Sequence, residues 1–113
     1  MKYMVMLTRG EWEEQGPEDE RQRIYAEIGE WWGRQAAQGK IVEGHQLQPA
    51  NTATTLVLDR GQSTLIDGPF MEAKETIGGY AIVDVADLDE AVAIFRTFPS
   101  PEGKAEVRPV VER

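Results

Sequence analysis

Tyr80-Ala81-Ile82-Val83-Asp84-Val85-Ala86-Asp87-Leu88-Asp89-Glu90-Ala91-Val92-Ala93-Ile94-Phe95 is the stretch that decides the fold. Tyr80 to Val85 is apolar on both faces, the pattern of a strand covered from two sides. Asp87 and Glu90 then stand three apart, a D-x-x-E start resembling a capping box. Leu88, Ala91, Ile94, Phe95 and Phe98 follow at helical spacing, and Pro99 and Pro101 stop the helix. A buried strand therefore runs straight into an amphipathic helix.

Working outward, Ala105 to Val110 reads as a last strand, with Glu106 and Arg108 on the face opposite Ala105 and Val107. Upstream, Thr54 to Leu58 and Ser63 to Ile66 flank Asp59-Arg60-Gly61-Gln62, a hairpin with a glycine-containing turn. Ile41-Val42 opens a second strand region that ends near Pro49. A first helix is predicted from near Pro17 to Gly39, with Asp19 and Glu20 in its first turn and Ile24, Ile28 and Trp31 or Trp32 on its apolar face. Gly29 and Gly33 weaken that helix by about 1 kcal/mol each relative to Ala, unless something packs closely there. The chain opens with the apolar run Tyr3 to Leu7, another strand covered on both faces.

The order strand, helix, strands, strand, helix, strand predicts an α+β fold: a ferredoxin-like split βαβ sheet with both helices on one face. At 113 residues the expectation is one domain, 1–113. Two helices leave one sheet face bare, and Tyr3–Leu7 and Tyr80–Val85 would expose apolar side chains there. A second copy packed sheet to sheet about a two-fold axis resolves this, giving a homodimer of the dimeric α+β barrel type with a cavity between the sheets. The competing arrangement folds the Thr54–Ile66 hairpin back over that face.

The net charge of −8 disfavours nucleic acid and anionic membrane surfaces as partners. Glu11, Glu13, Glu14, Glu18, Asp19 and Glu20 read as a solvated loop and helix start. The absence of cysteine excludes disulfides, thiolate nucleophiles and Cys-based metal sites, and one histidine is too few for an ordinary zinc site. No metal and no cofactor are expected. The opening residues do not fit a signal peptide and no apolar run approaches a membrane span, so the expected location is cytoplasmic. Phosphate-binding and nucleophile-elbow templates are missing.

Asp67-Gly68-Pro69-Phe70 ends a strand and starts a loop. Pro69 removes the N–H an Asx-turn would offer, so Asp67 either caps the loop through another donor or stands as a general base at a strand end. Glu72, Lys74 and Glu75 follow, as a solvated loop or as ligand-binding groups. His45 shares a strand face with Glu43 and has a pKa range suited to acid–base work. Arg108 either pairs with Glu106 or holds a ligand carboxylate in the cavity. Tyr80 belongs to the cavity wall or the core, and the three tryptophans to the core, an interface or a pocket lid.

Asp67-Gly68-Pro69-Phe70, Glu72-Ala73-Lys74-Glu75 and Gly78-Gly79-Tyr80 together resemble the DGPF-motif branch of the YCII-related proteins. Met1-Lys2-Tyr3-Met4, Leu47-Gln48-Pro49, Thr52-Ala53-Thr54-Thr55, Asp87-Leu88-Asp89-Glu90-Ala91 and Glu106-Val107-Arg108-Pro109-Val110 extend the resemblance over nearly the whole chain. It implies a dimeric α+β barrel. In the wider family it implies relatives resembling muconolactone isomerase, some thought to use a His–Asp pair, with His on the first helix and Asp after the second. This first helix has no His, and Phe98-Pro99-Ser100 follows the second, so neither member carries over. The resemblance also implies an association with extracytoplasmic-function sigma factors. Three functions follow as expectations: a small-molecule-binding dimer, a lyase or isomerase with Asp67 or His45 as base and Arg108 orienting the substrate, and a protein-interaction module.

Overall fold

A computed structural model describes residues 1–69 and 76–113. The chain runs β1 (Lys2–Thr8), α1 (Glu11–Gln15), α2 (Glu18–Ala37), β2 (Ile41–Gln46), a 3₁₀ turn (Ala50–Thr52), β3 (Thr54–Asp59), β4 (Gln62–Asp67), β5 (Ile77–Asp84), α3 (Leu88–Phe95) and β6 (Ala105–Pro109). The main sheet has the order β2-β5-β1-β6 and is antiparallel throughout, with β3 and β4 forming a separate two-stranded sheet. That order is the ferredoxin-like arrangement the sequence predicts. No helix among the described residues is long and apolar enough to cross a membrane.

Alternation along the strands sorts the residues between two faces. Tyr3 and Val5 of β1, Ala81 and Val83 of β5 and Ile41 of β2 join Trp31 of α2 and Ala91 and Phe95 of α3 in the core. Trp31 is its centre. Its ring meets Phe95 and Phe98 edge-on at 5.1 Å, and its Nε1 donates to Thr97 Oγ1 at 2.7 Å. The indole thus fills the layer between helices and sheet with its polar atom satisfied.

The other face presents Met4 and Met6 of β1 beside Tyr80 and Ile82 of β5, all partly buried. Glu43 and His45 on β2 and Glu106 and Arg108 on β6 flank them. It is an apolar centre between polar edges, with no element of the main sheet's own helices upon it.

Asp87 caps α3 as its spacing predicts, accepting from Glu90 N–H at 2.9 Å. The return half of the box is shifted by one residue. Glu90 Oε1 accepts from Ala86 N–H at 3.1 Å and from Lys40 Nζ at 3.2 Å. These bonds favour the charged form and lower the Glu90 pKa.

The acidic stretch read as a solvated loop and helix start does hold the start of α2 at Glu18, but its first part is a short helix and not a loop. Glu11–Gln15 forms α1 because Trp12 is buried there, its Nε1 donating to Ser100 Oγ at 3.1 Å and its backbone N–H to Glu102 Oε1 at 3.2 Å. One apolar side chain with two polar anchors holds a helical turn that its charges alone would leave solvated.

The hairpin turns through Arg60 and Gly61, whose φ values of 50° and 88° are those of a two-residue type I′ turn. Its six rungs run from Thr54 opposite Asp67 to Asp59 opposite Gln62. It does not bury its side chains: Leu58 is 76% and Leu65 71% exposed.

Candidate functional site

A cleft of about 400 Å³ opens on the helix side of the sheet, between α2 and the ends of β1, β2 and β5. It lies within one chain and is separate from the cavity expected between the sheets of two copies. Its volume falls in the range of small-molecule sites. Three glycines make it possible. Gly44 of β2 and Gly78 and Gly79 of β5 lie on its floor, and Gly29 of α2 on its wall. A Cβ on Gly44 would fall on the Trp32 ring and stand 2.6 Å from Tyr80 O, so only glycine lets the indole approach the strand this closely. At Gly29 a Cβ would meet nothing within 4 Å: it faces open space in the cleft.

Tyr25, Ile28 and Trp32 of α2, with Leu7 and Phe98, give the cleft an apolar and aromatic wall. Tyr25 is fixed by Trp12, whose ring lies 5.2 Å away and tilted. α1 therefore does more than close a loop, since it braces the aromatic wall.

Among the described residues one carboxylate lines this cleft: Glu13 of α1. Burial raises its pKa above the ordinary carboxylate value, opposed by Arg9 and by a hydrogen bond from the Gly10 backbone. Arg9 Nη1 lies 3.2 Å from Glu13 Oε2, and its Nε pairs with Glu14. The arrangement is a partly desolvated acid against an aromatic pocket, with a cation behind it. Such a group is a candidate acid or base, and its carboxylate can hold a ligand's N–H. In the sequence Glu13 is indistinguishable from the five other acidic residues around it. The discriminating signal was Trp12, an apolar anchor inside an otherwise charged run.

The residues singled out from the sequence fall in three places. His45 and Tyr80 border the cleft, but they face each other on the open side of the sheet, with ring centroids 6.0 Å apart. Tyr80 OH donates to Glu43 Oε1 at 3.2 Å, and desolvation followed by that bond raises its pKa. Arg108 lies across the sheet on β6, opposite Met4 and 3.9 Å from Glu106 Oε2, the in-strand pairing weighed for it. Two strands separate it from His45, a spacing of about 14 Å. Asp67 ends β4 on the hairpin, paired with Thr54 and exposed, and it does not line the cleft. The turn beside it is closed by backbone and hydroxyl: Gly68 N–H donates to Ala53 O at 2.8 Å and Thr55 Oγ1 to Gly68 O at 2.6 Å. Glu72 and Lys74 lie outside the described residues. Among the described residues no three His, Cys, Asp or Glu side chains are grouped to hold a metal ion.

The model of the YCII-related domain matches residues 1–113. An uncharacterised protein of Rhizobium meliloti (strain 1021) is 32% identical over 95 residues, which cover 81% of this chain and 77% of that protein.

Proposed function

The chain belongs to the YCII-related family, and from that premise we propose that it is a homodimeric protein that binds a small, flat molecule in the cleft between α2 and the sheet. The observation that carries this reading is the cleft itself: glycine-floored, walled by Tyr25, Ile28, Trp32 and Phe98, and holding one carboxylate. Aromatic walls favour a planar ligand. Glu13 favours a ligand that is neutral or cationic and offers an N–H or O–H, in preference to the anionic molecule that Arg108 suggested. The open sheet face, with Met4, Met6, Tyr80 and Ile82 at its centre, supports the dimer.

A second reading is an enzyme of the isomerase or lyase kind. It is favoured by Glu13, an acid raised by burial at the edge of a ligand-sized space. His45 borders the same cleft and is the second candidate base. For Asp67 to act in this way, the hairpin of a second copy would have to bring it there. The regulatory association with a sigma factor draws its support from the family resemblance alone.

A thermal-shift screen of a metabolite library tests both readings, using the wild type, Gly29→Leu and Glu13→Gln. Gly29→Leu fills the cleft from a helix position with open space around it. A ligand at 100 times its dissociation constant adds about 2.7 kcal/mol, several degrees for a domain of this size. Hits lost in Gly29→Leu support the cleft, and those also lost in Glu13→Gln become substrates to assay for turnover. Hits kept in full by Gly29→Leu, or no hits at all, would remove the cleft from consideration.

A further inference from the structure

We propose that the β3–β4 hairpin is an arm that packs against a second copy of this chain, completing the dimer interface that the open sheet face begins. The inference rests on the dimer reading above and adds the arm to it. The hairpin is well specified as a hairpin, with a type I′ turn and six paired rungs. Yet two isolated strands are marginal in water and need packing against something else. Pairing places Leu56, Leu58 and Leu65 together on one face, and Val57 and Ile66 on the other. All five are exposed. Such a surface on an otherwise acidic, soluble-looking chain is one that a partner covers.

Area selects a second copy as that partner. The open face of four strands spans about 20 Å by 20 Å, or roughly 400 Å² in projection, half of the roughly 800 Å² per partner in a standard interface. Six rungs make an arm about 20 Å long and 10 Å wide, roughly 200 Å² on one side. Under a two-fold axis each copy contributes its face and its arm, roughly 600 Å² per partner, which reaches the lower end of the standard range where the face alone does not. The overall shape agrees. The radius of gyration is 15.9 Å, and the extents are 44 × 44 × 19 Å. A compact chain of this length has a radius of roughly 13 Å. The single chain is a plate with an arm extended beyond its core.

The test is sedimentation across a dilution series, with the wild type, Leu58→Asp/Leu65→Asp and Met6→Glu compared. Both leucines are exposed in the single chain, so their substitution leaves its fold intact, which far-ultraviolet circular dichroism checks. The arm variant is expected to weaken dimerisation by roughly 100-fold or more. An unchanged dissociation constant in that variant, with Met6→Glu dissociating, overturns the arm and leaves the dimer standing. A wild type that stays monomeric overturns both. Amide exchange on the unaltered protein gives a second reading. Protection at residues 54–67 should rise with the dimer fraction, and protection independent of concentration would instead mean that the hairpin folds onto its own chain.

Discussion

Glu13 and Gly44 carry more of the site than their neighbours in sequence suggest. Gly44 sets how close Trp32 can lie to β2, and so sets the depth of the cleft. Glu13 stands at its mouth with a raised pKa caused first by burial. A carboxylate raised in the folded state binds protons there that the unfolded chain has released. Its contribution to stability therefore falls as pH rises through the interval from the ordinary carboxylate value to the raised one. Glu13→Gln is expected to remove that part of the pH dependence and to raise the midpoint near neutrality, read from thermal melts between about pH 4 and 7. A slope identical to the wild type would show that Glu13 is fully solvated. Neither role was legible in advance. A glycine in a strand and one glutamate in an acidic run have many ordinary explanations, and only the approach of Trp32 and the burial of Trp12 choose among them.

At the level of elements, α2 combines a buried stripe, Ile24 and Trp31, with two glycines inside its length. Close packing would justify them, but a Cβ at Gly33 would meet nothing within 4 Å. Gly33→Ala is therefore expected to stabilise the chain by about 1 kcal/mol, seen as a midpoint higher by a few degrees. A loss of stability would mean that the position is covered by a partner. The α3 cap was readable residue by residue, because Asp87 needs only its own backbone three positions on. The shift of the Glu90 bond to Ala86 was not, because it depends on Lys40 arriving from across the fold.

Considered as a whole, the molecule is a half-covered sheet with an exposed hairpin, and the proposed dimer rests on both features. If folding and association are linked, the midpoint of thermal unfolding should rise with protein concentration. A midpoint constant over a hundredfold dilution, in a chain shown to be dimeric at the upper end, would mean that each copy is stable alone. The sequence by itself determined the order of elements, the hairpin with its glycine-containing turn, the capped α3 and the two-faced character of β1 and β5. Each of these is a matter of period, turn chemistry or capping, which act over a few residues. Only the tertiary structure decided that the cleft lies on the helix side, that Glu13 lines it with His45 at its border, and that Asp67 and Arg108 lie outside it. Those facts depend on which strands become neighbours, and on how closely one indole approaches one glycine, distances that no local pattern encodes.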